Sequence, residues 1–240
     1  MLILGILGIG VLLSGSLLAQ TSTSGSDWQS LKILQTADPI FPSHLLQAGV
    51  TEGEAHMVIS TDASGKLADW LVVGYSYPEF AEAAVAAIKQ WKFEPARLQG
   101  EPVGTTVELG FYYETKGVVV SSTCAVEYLE GQMLRMLKDS YAYHPCSLRE
   151  LDRIPAPVVT IMPQYSGALA KQGVKGRVTV EFFIDETGAV RMPAVSANND
   201  TMLTALAIDA LRQWKFAPPT SRGKSVLVKA SQEFNFVNGS

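Results

Sequence analysis

Histidine and cysteine are nearly missing from this chain, and their scarcity excludes most site chemistry. Only three histidines (His44, His56, His144) stand in 240 residues. None are four apart, so no His-x-x-x-His metal site is written. Gly-x-Ser-x-Gly and phosphate-binding glycine loops are missing too. No metal, no cofactor and no catalytic residue is expected, which points to a protein that is not an enzyme. The two cysteines, Cys124 and Cys146, lack Cys-x-x-Cys spacing, and a structural disulfide is the expectation. Closing a loop of that size stabilises by about 3 kcal/mol. His144-Pro145-Cys146 does set a base near a thiol, and a thiol-dependent enzyme is the catalytic alternative. Positive charge is also short. A net charge of −4 argues against nucleic acid as a partner. Residues 31–114 carry 5 basic and 11 acidic side chains, whereas residues 158–238 carry 9 and 6. This reads as variation between solvated faces; attraction between the halves, or to an acidic partner, is the alternative.

Charge is wholly absent from the first 19 residues, an apolar run ending Ser16-Leu17-Leu18-Ala19. Gly5, Gly8, Gly10 and Gly15 weaken it as a spanning helix, and Ala19 suits cleavage, so a secretory signal is expected over 1–19. No Lys or Arg precedes the run and Leu17 is large for its place, which keeps a retained anchor as the alternative. The body is exported in either case, a setting in which disulfides persist. Residues 20–37 contain no proline and read as a flexible linker. Fully extended, they reach about 60 Å at most.

What the chain does contain, it contains twice. Gln90-Trp91-Lys92-Phe93-Glu94-Pro95 returns as Gln213-Trp214-Lys215-Phe216-Ala217-Pro218, 123 residues later. The same offset relates Gly53 to Gly176, Asp62 to Asp185, Gly65 to Gly188, Gly100 to Gly223 and Phe111 to Phe234. Two copies of one module follow, over 38–114 and 158–238, joined by a connector over 115–157.

Periodicity gives the module its elements. Val178, Val180, Phe182 and Ile184 alternate with polar residues, as Ala55, Met57 and Ile59 do in the first copy, which is the period of a half-buried strand. His56 falls on the outward face of that strand. Asp62-Ala63-Ser64-Gly65 and Asp185-Glu186-Thr187-Gly188 are turns into second strands at Leu67–Val73 and Val190–Ala197. Phe80, Ala84, Ala87, Ile88 and Trp91 form one helical stripe, matched by Leu203, Ala207, Ala210, Leu211 and Trp214. Pro78 suits a first helical turn, Asn199 or Asp200 is the cap in the other copy, and Pro95 and Pro218 stop the helices. Trp91 and Phe93, with Trp214 and Phe216, are expected in the cores. Final strands run Val103–Tyr113 and Ser225–Phe236, and short helical segments precede the hairpins at Phe41–Leu46 and Tyr165–Leu169. The fold class is α+β: two tandem α-β-β-α-β modules, each a small antiparallel sheet packed by helices. The connector adds a helix with Leu129, Met133, Met136 and Leu137 on one face.

This combination resembles the TonB C-terminal domain. The second copy is the closer, with Pro163-Gln164-Tyr165, Gly176, the alternating strand, Asp185, Gly188, Trp214-Lys215-Phe216-Ala217-Pro218, Gly223 and a last strand ending Phe234-Asn235-Phe236. The resemblance implies a periplasmic protein-interaction module. It engages a short extended segment of outer-membrane transporters, which adds a strand beside the module's last strand. On this chain that points to Lys224–Ser231, above all Val226, Val228 and Ala230, together with Met162, Pro163, Gln164 and Tyr165. The family's Gln-Pro-Gln-Tyr-Pro is changed here: Met162 replaces the leading Gln and Ser166 the last Pro. An energy transducer of the family has a polar residue for its motor partners in its membrane helix and a long Pro-rich spacer; here residues 1–19 hold no His and no ionisable group, Ser14 and Ser16 being their only polar side chains, and the stretch that follows has no proline. The expectation is therefore a non-catalytic adaptor binding envelope proteins, an outer-membrane transporter among them. The alternatives are an anchored transducer in transmembrane transport, the thiol enzyme already named, and an edge closed by the other copy or in a homodimer.

Overall fold

The computed structural model describes residues 28–124, 142–165, 174–195 and 201–237, with 117–124 as backbone only. These divide into two units, 28–124 with 142–143, and 144–237. The apolar run 1–19, the helical segment at 166–169, the cap at Asn199 or Asp200 and the connector helix lie outside the described residues. Among the described residues, no helix is long and apolar enough to cross a membrane.

The first unit opens with β1 (Trp28–Gln29), β2 (Lys32–Gln35) and the short helix α1 (Ser43–Gln47). β3 (Glu52–Thr61) and β4 (Leu67–Tyr75) form the hairpin, and α2 (Pro78–Ile88) follows with Pro78 in its first turn. β5 (Lys92–Glu94), β6 (Ala96–Leu98) and β7 (Glu101–Val103) are short, and β8 (Thr105–Glu114) and β9 (Gly117–Cys124) are long. The main sheet is ordered β4-β3-β8-β9 and is antiparallel throughout. The five expected elements are thus joined by others. β1 pairs with β6 and β2 with β5, so the second half of the stretch read as a flexible linker is bound to the module. β9 begins what was read as a helical connector.

The second unit holds a 3-10 turn at Leu148–Glu150, β10 (Pro157–Val159), β11 (Gly176–Ile184) and β12 (Val190–Val195). Helix α3 (Thr201–Leu211) precedes β13 (Lys215–Phe216), β14 (Thr220–Ser221), β15 (Lys224–Ser225) and β16 (Val228–Phe236). Its main sheet is ordered β12-β11-β16. In each unit the helical stripe buries against the inner face of the sheet. Phe80, Ala84, Ile88, Trp91 and Phe93 meet Met57, Ile59, Leu109 and Phe111 in one; Leu203, Ala207, Leu211, Trp214 and Phe216 meet Val178, Val180, Phe182 and Phe234 in the other. Each repeated tryptophan also satisfies its buried indole N–H. Trp91 Nε1 donates to Ala37 O at 2.9 Å and Trp214 Nε1 to Ile161 O at 2.8 Å.

Glycine is required where these layers touch. A Cβ on Gly53 would lie 2.0 Å from the Phe80 ring, but one on Gly176 would lie 3.2 Å from Leu203 Cδ1. Gly53→Ala is expected to destabilise the first module by about 3 kcal/mol and Gly176→Ala the second by under about 1 kcal/mol; urea denaturation of the two variants checks the contrast.

The hairpin turns are held by one carboxylate oxygen each. Asp62 Oδ1 accepts from Ser64 N, Ser64 Oγ and Lys66 N (2.8, 2.6 and 3.0 Å), and Asp185 Oδ1 from Thr187 N, Thr187 Oγ1 and Ala189 N (2.9, 2.6 and 3.0 Å). The Ser64 hydroxyl and then the Lys66 N–H hold the Asp62 carboxyl below its ordinary value. Burial pushes Asp185 up, but the Thr187 and Ala189 bonds together outweigh it and leave it lowered from 3.8. A folded-state value below the unfolded one means stability that is present above the unfolded pKa and is lost as pH falls through the folded one. The stability advantage of the wild type over Asp185→Asn should accordingly hold at neutral pH and shrink below about pH 4, as denaturant titrations at several pH values would read.

One strand position needs correcting. His56 does sit on the sheet face away from α2, but it is buried, at 2 % exposure, as are Val58 and Glu108 on the same face. Its Nε2 lies 3.5 Å from Glu54 Oε2 and its Nδ1 3.9 Å from Glu108 Oε1, and the ring meets Tyr112 edge-on. The period of a strand assigns a face and says nothing about what covers it.

Candidate functional site: the edge of the last strand

β16 pairs with β11 without a register shift, from Val228 opposite Ile184 to Phe236 opposite Gly176. Its other side begins against Cys146, whose N–H donates to Leu227 O at 2.7 Å in a parallel bridge at Val228. That bond fixes which way the strand's backbone points. The N–H and C=O of a residue share one side, and sides alternate along the strand. Leu227 therefore faces outward, and so do Ser231, Glu233 and Asn235, while Ala230, Gln232, Phe234 and Phe236 face β11. Past Val228, no described strand pairs with this outward side.

The stretch of the last strand left without a described partner is therefore not the one expected from sequence. Lys224–Ser225 already pairs with Thr220–Ser221, and Val226 N–H donates to Pro219 O at 3.0 Å. Val228 is fully buried and its outer side is taken by Cys146. Ala230 is half-buried opposite Phe182. The open edge runs on to Phe236. At that far end Tyr165 packs its ring against Phe236, centroids 5.4 Å apart, and its hydroxyl donates to Val174 O. Met162 is 75 % exposed, Gln164 is exposed and Pro163 half-buried. So Tyr165 adjoins the open end of β16, whereas Val226 and Val228 adjoin the closed one. The outward groups of Glu233 and Asn235 were not singled out from sequence; the alternation that exposes Ser231, Glu233 and Asn235 is the signal that could have found them.

Charges beside the edge are neutralised within the module. Lys229 Nζ sits 2.7 Å from Glu181 Oε2, and Arg177 Nε 3.4 Å from Glu233 Oε1 and 3.1 Å from Asn235 Oδ1. Asn235 Nδ2 in turn donates to Glu233 Oε1 at 3.2 Å.

In the first module the same edge is filled. β9 pairs with β8 from Val107 opposite Cys124 to Glu114 opposite Gly117. By the 123-residue offset, β8 residues 107–114 correspond to 230–237, the open stretch of the second module. A family profile described as Gram-negative bacterial TonB protein C-terminal matches the chain twice, over residues 38–115 and 162–237. The chain belongs to the TonB C-terminal domain family. No individual curated protein matches it. Its two TonB C-terminal domains therefore differ at the last strand, which carries a fourth strand in the first copy and none among the described residues in the second.

Cys146, expected to pair with Cys124, carries a free thiol. Its Sγ is turned to Ser147 O at 3.6 Å and lies 4.0 Å from Glu150 Oε2, while His144 Nδ1 lies 2.9 Å from Pro145 O. The backbone of Cys146 is engaged at the β16 edge, which directs the side chain toward the Leu148–Glu150 turn. His44, which is exposed, pairs with Glu79 at 3.0 Å, a bond that lowers the Glu79 carboxyl.

Proposed function

We propose that this is a non-catalytic envelope protein whose second TonB C-terminal domain takes an extended segment of another envelope protein as an added strand along Ser231–Phe236. One observation carries the reading: among the described residues no strand pairs with the outward backbone groups of β16 past Val228, where the equivalent groups of β8 are paired with β9. An unpaired edge supplies main-chain hydrogen bonds to an incoming strand. Family membership supports the periplasm as the setting and an outer-membrane protein as a partner. Because Met162 stands in the place of the family's leading Gln, recognition rests on the strand edge, with Tyr165 bracing its far end against Phe236.

A photo-crosslinking residue at Ser231, in the native envelope, is expected to yield a discrete product that the same residue at exposed Glu82 on α2 does not. Equal labelling at the two positions, or none at Ser231, would overturn the proposal.

A further inference from the structure

The second unit gathers positive charge in one place. Arg149 and Arg153 lie on the stretch that follows Cys146, Arg222 and Lys224 on the β14–β15 hairpin, and all four are exposed. Hydrogen bonds hold the two pieces together. Ser221 Oγ donates to Glu150 O at 2.6 Å and Asp152 N–H to Thr220 O at 2.8 Å. Asp152 also caps the turn, accepting from Arg222 N at Oδ1 (2.8 Å) and from Gly223 N at Oδ2 (2.9 Å). The Gly223 and then the Arg222 N–H hold its carboxyl below the ordinary value, and Arg153 adds a smaller share. Glu150, the other acid of this stretch, turns Oε2 to Ser147 N–H at 3.1 Å. Both acids thus face backbone amides. Among the described residues, the cations in ion pairs in this unit are Arg177, Arg191 and Lys229, and none of these four.

The fold does not require these charges. By the 123-residue offset Arg222 and Lys224 correspond to Gln99 and Glu101. The two hairpins turn alike, with φ +54° and +83° at Gln99 and Gly100 and +52° and +74° at Arg222 and Gly223. β1, which lies along the first hairpin, brings no charge. The turn is common to both copies and the cations belong to one. Large apolar side chains stand among them: Leu148, beside Arg149, is 53 % exposed, and Ile154, beside Arg153, is 81 % exposed. Guanidinium groups take phosphate oxygens well, and a cation next to an exposed aliphatic chain suits the boundary between lipid headgroups and acyl chains. A soluble acidic partner would use the cations and leave Ile154 in water.

We propose that this surface, formed by Arg149, Arg153, Arg222 and Lys224 with Leu148 and Ile154, docks the second domain on an anionic phospholipid membrane. The proposal is independent of the strand edge: it uses the opposite side of the Cys146 bridge in sequence and would stand if no segment were added to β16.

Flotation of the full chain with vesicles of phosphatidylethanolamine and phosphatidylglycerol, and separately with vesicles of phosphatidylcholine, is the test. Residues 1–19 carry no charge, so whatever they contribute is common to both vesicles and the difference reads the patch. Stronger binding to the anionic vesicles, weakening as salt is added, is the expected result. Replacing Arg153, Arg222 and Lys224 together by Gln should weaken that binding on the order of a hundredfold, about fivefold for each cation. Ile154→Ser should weaken it about tenfold. Circular dichroism of each variant shows that it is folded. Equal binding to the two vesicles, or no loss in the folded triple variant, would overturn the proposal. A loss in the triple variant with none in Ile154→Ser, and full displacement by soluble polyglutamate, would give the surface to an acidic protein and sink the lipid assignment.

Discussion

Ser231→Pro is expected to abolish partner capture while leaving the protein folded. Ser231 is exposed and its N–H points away from β11, so the ring removes no bond of the existing ladder; proline is tolerated at such edge positions. The cost to stability should stay below about 1 kcal/mol, but an incoming strand loses a donor and meets the ring in its lane, a loss of at least about tenfold in affinity. Gln232→Pro is the contrast. Its N–H faces β11, where Gln232 lies opposite Val180, and its loss should cost the module about 3 kcal/mol and unfold part of the population. Crosslinking yield set beside urea midpoints separates the two effects. If Ser231→Pro leaves capture unchanged, the edge is not the site.

The second large effect belongs to Gly188. Its φ is +86°, and an added Cβ would fall 2.0 Å from Phe216 O. The same contact carries a backbone bond, Phe216 N–H to Gly188 O at 2.8 Å. Gly188→Ala therefore meets the left-handed backbone penalty and displaces β13, and we expect a loss of about 3–5 kcal/mol. That is much of what a domain of this size possesses. Gly65 repeats the geometry less tightly, with φ +81° and 2.5 Å to Phe93 O, so Gly65→Ala should cost less. Trp214 is the one tryptophan of the second unit, the others being Trp28, Trp70 and Trp91. Its fluorescence in urea would follow the second module, and a midpoint unchanged in Gly188→Ala would show that the turn yields more easily than its geometry indicates.

These glycine contacts explain why so much of the fold was legible. Gly65 and Gly188 must lie under the carbonyls of Phe93 and Phe216, so glycine, tryptophan and phenylalanine keep one spacing in both copies and announce the repeat. Strand and helix periods then follow, because each module buries one stripe and one sheet face. β9 was not legible for the converse reason. The offset ends at Glu114, the Val118-Val119-Val120 run has no counterpart in the second copy, and a segment outside the repeat was absorbed into the connector. β1 and β2 are two and four residues long, too short for a period to declare itself. The edge proposed as the site was legible only in part. Sequence marked the last strand and Tyr165, but which side of the strand is free, and that Cys146 occupies its beginning, depend on contacts between residues some eighty positions apart.

The turn between β8 and β9 has a further consequence. Only Thr115 and Lys116 separate the two strands, so β9 faces its edge at an effective concentration well beyond the millimolar range typical of short flexible tethers. No free segment competes on those terms, and the first domain stays saturated by its own chain. With the second domain binding at its last strand as we propose, two domains provide a single valency. Avidity cannot arise within one molecule, and a partner held at two points must be held by two chains.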